Sequence, residues 1–318
     1  MLLSCLAIVV GLVILVWSAD KFVLGAAATA SHFGMSPLLI GMTIVSLGTS
    51  APEIFVSLTA SLDGAGTLAI GNALGSNIAN IGLVLGITAL IAPLPIQSRM
   101  MRKEIPILLL VTIIAGLVLQ DLGISLIDGV IMLICLVVTL FWLFNESSDE
   151  GIGGLDEEEA EAMNKLSTGQ SIFWMVVGLI ALMISAKLLV WGAVDVARFF
   201  GISELVIGLT IVAIGTSLPE LAASVTSALR GHHDIAIGNV VGSNIFNLLA
   251  VMPIPGLVAY TQVQEMALYR DYGTMLLLTL LLIAFIYGFR RSKRIGRTAG
   301  GVLLLAYVSY LGLLLVQA

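Results

Sequence analysis

The sequence predicts an all-α polytopic membrane protein: about ten transmembrane helices forming two inverted five-helix repeats, with helices broken at the membrane midplane. Three observations predict it. First, the 318 residues are 59% apolar and only 11% charged, with a mean hydropathy of +1.10. Soluble domains average about 25% charged residues, so a soluble globular protein, a disordered chain and a nucleic-acid binder are excluded, and lipid is the expected solvent. Second, the chain divides into apolar runs near the ~20 residues that cross a bilayer. Third, one half repeats the other at a fixed offset.

The runs lie at 3–30, 36–61, 67–91, 104–120, 125–145, 170–198, 203–229, 235–259, 272–289 and 298–316. The first and sixth exceed the bilayer thickness and are expected to tilt strongly. Residues 1–145 form the first five-helix repeat, with its core motif at 36–85. Residues 170–318 form the second, with its core motif at 203–252. The segment 146–169 is the linker between them. Eight of the 20 acidic residues crowd into that linker region (Glu146, Asp149, Glu150, Asp156, Glu157, Glu158, Glu159 and Glu161), which leaves 12 acids against 14 Lys and Arg elsewhere. The net charge of -6 is therefore a property of the linker. The linker lacks an EF-hand pattern and reads as a solvated segment. Cys5 and Cys135 sit in apolar runs without metal-site spacing and are expected to be unpaired. The first run has no basic segment before it and reads as a retained helix rather than a signal peptide.

The repeat is exact in register. GMTIVSLGTSAPE at 41–53 returns as GLTIVAIGTSLPE at 208–220, and AIGNALGSNIAN at 69–80 as AIGNVVGSNIFN at 236–247, always 167 residues on. Internal symmetry of this kind marks secondary transporters. If loops alternate sides, one side collects Arg99, Arg102, Lys103, Lys165, Arg230, Arg290, Arg291, Lys293, Arg294 and Arg297, while the other has Arg198 and Arg270. The positive-inside rule makes the first side cytoplasmic. Both termini then face outward, the linker is cytoplasmic, and the protein belongs in the plasma (inner) membrane. Five spans per half, an odd number, turn the halves upside down relative to each other.

Glu53 and Glu220 are the carboxylates placed near the middle of spans. A charge at a helix centre costs about 2.5–3.5 kcal/mol on the insertion scale, so such residues face a cavity or a partner. Pro52 and Pro219 precede them, each removing a backbone N–H and clashing with the carbonyl at Gly48 or Gly215. The helix should break there and leave carbonyl oxygens free, which is tolerated only beside a cavity or protein. Thr49, Ser50 and Ser57 share a face with Glu53, as Thr216, Ser217 and Ser224 do with Glu220. On the next helix Asn72, Ser76 and Asn80 recur every fourth residue, as do Asn239, Ser243 and Asn247. Interhelical hydrogen bonding accounts for Asn72, Asn77, Asn239 and Asn244; ligation is the reading for residues facing the glutamates.

These are hard oxygen donors, suited to hard cations. His32, His232 and His233 fall in loops, which disfavours zinc, copper and iron. Two carboxylates at a spacing of ~6 Å would repel by roughly 3 kcal/mol at an effective dielectric of ~20. One divalent ion or two or more monovalent ions would remove that repulsion, so Ca²⁺ and Na⁺ would compete for one site.

The paired GTSxPE and GNxxGSNxxN segments resemble the α-repeats of the calcium/cation antiporter superfamily, in particular prokaryotic sodium/calcium exchangers. The resemblance is specific over 36–85 and 203–252 and extends over the whole chain by span count and symmetry. It implies that Glu53 and Glu220 are the central carboxylates shared by calcium and sodium. It implies hydroxyl or backbone oxygens from Thr49, Ser50, Thr216 and Ser217, backbone carbonyls at Ser46 and Ala213, and further ligands at Ser76, Ser243 and Asn80. It also implies that the first and sixth helices slide as a gate. Asn247 stands where several relatives carry an aspartate, which disfavours a potassium-dependent mode. Gly75 and Gly242 stand where the proton-coupled branch carries an acid, which favours sodium.

The expected function is thus Na⁺/Ca²⁺ exchange by alternating access, with no enzymatic activity, no cofactor, and membrane lipid and the transported Ca²⁺ and Na⁺ as partners. No protein partner and no nucleic acid is implied. A proton-coupled or other-cation antiporter (H⁺/Ca²⁺ or Mn²⁺) is the alternative, with a passive cation channel behind it. Arg290 to Arg297 suit a topology anchor as well as anionic lipid, and Asp20 and Lys21 suit a gating pair as well as an interfacial position.

Overall fold

The computed structural model describes residues 1–147, 166–202, 204–288 and 294–317. Most of the acidic linker, with Lys165, Arg290, Arg291 and Lys293, lies outside the described residues. The first half runs through α1 (Leu2–His32), α2 (Pro37–Thr49), α3 (Ala51–Leu62), α4 (Gly66–Ile91), α5 (Glu104–Leu119) and α6 (Leu126–Ser147). The second half runs through α7 (Thr168–Phe199), α8 (204–216), α9 (Leu218–Leu229), α10 (His233–Val258), α11 (Ala267–Gly288) and α12 (Arg297–Gln317). Among the described residues seven helices are long and apolar enough to cross a membrane, and nine when the bent pairs α2/α3 and α8/α9 each count as one span. The remaining expected span is α5, whose 16 residues reach ~24 Å at 1.5 Å per residue. The ten segments follow the order read from the sequence; α11 begins earlier than expected, with a π turn at Ala267–Tyr272.

Local signals set the ends. Ser36 caps α2 by accepting from Leu39 N, with Pro37 at the first helical position. Ser167 and Gln170 form a capping box on α7. The turns after α3 and α9 are alike: Asp63 and Arg230 occupy the C-caps, followed by Gly64 and Gly231 at φ +75° and +80°, a left-handed conformation that favours glycine.

Two small antiparallel sheets fix the topology. β1 (Leu94–Pro95) pairs with β4 (Arg294–Ile295), and β2 (Gly123–Ile124) pairs with β3 (Thr261–Gln262). Each joins one half to the other. β1 precedes α5 and β2 follows it, so the two sheets lie at opposite ends of that helix. β1 and β3 are equivalent at the offset of 167, yet each belongs to a different sheet. Equivalent segments therefore sit at opposite ends of the molecule, which is the inversion expected from an odd number of spans.

At the centre are α4 and α10: 78% and 94% of their most apolar stretches are buried, against 17–33% for the other continuous spans. They contribute Ile70, Leu74, Ile78, Val240, Ile245 and Leu248 to the main core. α1 and α7 form a separate antiparallel pair, packed through Leu15, Ala19, Phe22 and Leu182. A Cβ on Gly11 would lie 3.1 Å from Leu189, and one on its equivalent Gly178 would lie 2.5 Å from Phe22, itself the equivalent of Leu189. Small residues at such crossings let membrane helices approach closely.

Candidate cation site

The site forms where α2 breaks into α3 and α8 into α9. Pro52 and Pro219 stand in the first turn of the outgoing helices, where a missing N–H costs little. The breaks bend the spans by 42° and 53°, and the hinge residues Ser50 and Ser217 leave helical geometry at ψ 2° and 4°. Glu53 and Glu220 fall in the first turn beyond each break, where helix N-termini favour negative charge. Both are buried, each 1% exposed. Among the described residues no basic side chain forms an ion pair with either.

The halves meet here. Ser50 Oγ donates to Glu220 Oε1 at 3.3 Å, and Thr49 Oγ1 donates to Asn239 Oδ1 at 3.1 Å. Ser76 is buried on α4. Two amides secure the breaks in parallel fashion. Asn72 Nδ2 donates to Glu53 O and Ser57 Oγ, both at 3.1 Å. Asn239 Nδ2 donates to Glu220 O at 3.3 Å and Ser224 Oγ at 2.9 Å. Asn77 Nδ2 reaches Asn244 O at 3.3 Å between α4 and α10. Asn72, Asn77 and Asn239 thus hold backbone and helices together, whereas the side-chain amide of Asn244, expected to do the same, has no hydrogen-bond partner within the protein.

A second group of oxygens has no hydrogen-bond partner within the protein although buried: Glu53 Oε2, Glu220 Oε2, Ser217 Oγ, Ser243 Oγ and the side-chain amides of Asn80 and Asn247. Four of these six residues form two repeat-equivalent pairs, Glu53 with Glu220 and Asn80 with Asn247, and all six belong to the breaks or to the central helices α4 and α10. Buried polar atoms are normally satisfied, so this set fits a polar or cationic ligand. Ser46 is buried and its carbonyl already accepts from Ser50 N at 2.9 Å and Thr49 Oγ1 at 3.4 Å, so both lone pairs of that oxygen are engaged and a cation held there would displace one of the two donors. Thr216 is half-buried. Ala213 lies in the helical turn Ala213–Thr216 beside the break, its side chain outside the description.

Sequence reasoning missed the π turns. They cover Gly41–Val45 and Asn80–Leu85 and, at equivalent places, Gly208–Val212 and Asn247–Val251. Asn80 and Asn247 open two of them. Such turns widen a helix locally and cluster at functional sites. Their one signal was the repeat itself, which makes a local irregularity recur.

The symmetry is broken in one respect. A Cβ on Gly242 of α10 would lie 2.5 Å from Met42 O and Ser46 Oγ of α2, and one on Gly238 would lie 2.8 Å from Leu38 O. Among the described residues the equivalent Gly71 and Gly75 of α4 meet nothing within 4 Å. Among the described residues, α10 is packed on α2 at one face of the site, and α4 lacks the equivalent packing at the other.

Comparison with known proteins agrees with this architecture. The family model described as sodium/calcium exchanger protein matches residues 3–145 and 170–316. The inner membrane protein YrbG of Escherichia coli is 40% identical over 99% of this chain and 97% of its own. The sodium/calcium exchanger MaX1 of Methanosarcina acetivorans is 33% identical over 96% and 97%. A solved structure of the sodium-calcium exchanger NCX_Mj, soaked with Na⁺ and Sr²⁺, superposes with a TM-score of 0.84 at 34% identity and 98% coverage of both chains. The chain belongs to the sodium/calcium exchanger family and is a multi-pass membrane antiporter of cations, not an enzyme.

Proposed function

We propose that the chain exchanges Na⁺ for Ca²⁺ at the paired-glutamate site by alternating access. The observation that carries this reading is a pair of buried carboxylates, one from each repeat, with Ser50 of the first repeat donating to Glu220 of the second and no basic partner for either among the described residues. Two buried negative charges need compensation. One Ca²⁺ supplies it fully, and so do two Na⁺, so loading by one species displaces the other. The proposed ligand set is Glu53 and Glu220 with oxygens from Thr49, Ser50, Thr216, Ser217, Ser76, Ser243, Asn80 and Asn247 and the backbone at Ser46 and Ala213. The flexible, oxygen-rich coordination that Ca²⁺ takes suits so mixed a set. The Lys and Arg distribution supports cytoplasmic placement of the face where α10 packs on α2, outward termini and a cytoplasmic linker at 146–169 between the repeats 1–145 and 170–318.

Protons would discharge the same carboxylates, so the assay needs a proton arm. The purified protein is reconstituted in vesicles and radiolabelled Ca²⁺ uptake is followed under an imposed Na⁺ gradient, an imposed pH gradient, or neither. Uptake that requires the Na⁺ gradient and reverses with it is the expected result. Uptake driven by pH alone makes the protein a proton-coupled exchanger, and uptake without any gradient makes it a channel; either overturns the proposal. Glu53→Ala and Glu220→Ala should each abolish coupled uptake.

A further inference from the structure

We propose that two charge-swapped ion pairs latch the α1/α7 pair alternately: Asp20 with Arg230, closed in this structure, and Lys187 with Asp63, which closes when the opposite face of the site is sealed. The inference rests on the alternating-access reading above and adds residues to it.

Arg230 Nε donates to Asp20 Oδ1 at 2.8 Å, and its Nη2 contacts the same oxygen. Lys21 Nζ lies 3.9 Å from Asp20 and 5.4 Å from the ring centroid of Trp174 on α7. The α1/α7 pair is thereby tied to the turn after α9. The tie lies on the side where α1 packs along α9, with Ala19 and Phe22 in one cluster with Ala223.

At the offset of 167 the equivalent of Asp20 is Lys187, and the equivalent of Arg230 is Asp63. Asp63 and Arg230 occupy the same C-cap position before a left-handed glycine, so their side chains leave the backbone from equivalent places. Changing one partner alone would set like charges opposite each other. Here both have changed, and attraction is kept with its sign exchanged. In this structure α7 makes only marginal contact with α3. Lys187 and Asp63 are exposed, Lys187 lies 5.9 Å from the Phe55 ring centroid, and among the described residues neither has an ion-pair partner. Exchanging the conformations of the two repeats brings α7 onto α3 as α1 now lies on α9, and Lys187 onto Asp63. An exposed ion pair adds little to total stability, but two conformers of near-equal energy respond to small increments.

The test uses a thiol on the α4 face of the site. Cys5→Ala and Cys135→Ala remove the native thiols, and Gly71→Cys introduces one where a Cβ meets nothing within 4 Å among the described residues. Labelling of the reconstituted protein by a maleimide then reports the open-to-sealed ratio at that face. Arg230→Gln should lower the ratio about two- to five-fold, the size of effect an exposed pair supplies, and Asp20→Asn should match it. Asp63→Asn and Lys187→Gln should raise it by a similar factor. Labelling that responds to Ca²⁺ or Na⁺ but to none of the four variants, or that moves in one direction with all of them, overturns the latches and leaves alternating access standing. Labelling that responds neither to cations nor to any variant overturns alternating access, and the latches with it.

Discussion

Glu220 accepts from Ser50 while its second oxygen lacks a partner within the protein, which makes Glu220→Gln an informative change. The amide keeps the volume and the bond from Ser50 but removes one of two buried charges. Without metal the variant should melt at the same temperature or higher, because an uncompensated buried charge is gone. Ca²⁺ should no longer raise its melting point by mass action, and Ca²⁺ affinity should fall by more than the roughly 10–100-fold typical of losing an outer partner of a ligand. A lower metal-free melting point would mean that the carboxylate is structural. Asn239 and Asn72 separate support from ligation. Asn239 is fully buried and secures Glu220 O, Ser224 and Thr49, whereas Asn72 is half-buried. Asn239→Ala should destabilise the protein by about 1–3 kcal/mol, the cost of orphaned buried groups, and Asn72→Ala by less because water can replace it; thermal melting of both variants checks the order. His232, just before α10, illustrates pH dependence. Burial, then the charges of Arg230 and His233, push its imidazole down from 6.5 to about 4. The unfolded chain takes up this proton as pH falls through 6.5, while the folded one resists it until about 4. Stability should therefore rise with pH across that window and level off above it, and His232→Gln should flatten the slope in a melting-point series.

At the scale of elements, the broken spans were legible because proline and glycine act locally: GTSxPE at 48–53 and 215–220 announced breaks, and both occur there. The two small sheets and the π turns were not legible. Two-residue strands carry no periodicity, and Asn80 and Asn247 suit an ordinary buried helix as well as the start of a π turn. The breaks make a prediction of their own. In Pro52→Ala the new N–H can bond back to the Gly48 carbonyl and straighten the span. Because the proline sits in the first turn, where it costs little, melting temperature should hold or rise while gradient-driven Ca²⁺ uptake falls at least ten-fold. Uptake at the parent rate would show that the bend is incidental to the site.

For the whole molecule, the offset of 167 residues foretold two halves and their inversion, and the sheets meet that expectation: β1 and β3 are equivalent in sequence and lie at opposite ends of α5. A sequence with two matched halves has no means of stating which half is closed, because a single conformation must break the symmetry that the sequence keeps. Hence the contrast between Gly242, packed on Met42 and Ser46, and Gly75, which meets nothing within 4 Å among the described residues, appears only in three dimensions. It has a mechanical consequence. Gly242→Ala inserts a methyl group into an occupied contact, so it should destabilise this conformer, by about 1–3 kcal/mol if the helices cannot yield. Gly75→Ala meets nothing within 4 Å among the described residues and should leave folding and melting untouched. If the repeats exchange conformations during transport, however, Gly75 must come as close to α8 as Gly242 now does to α2. The methyl group would then obstruct the opposite state, and Ca²⁺ exchange should slow at least ten-fold in a protein that binds Ca²⁺ and melts like the parent. Normal exchange by Gly75→Ala in vesicles would mean that the two faces do not close by equivalent contacts.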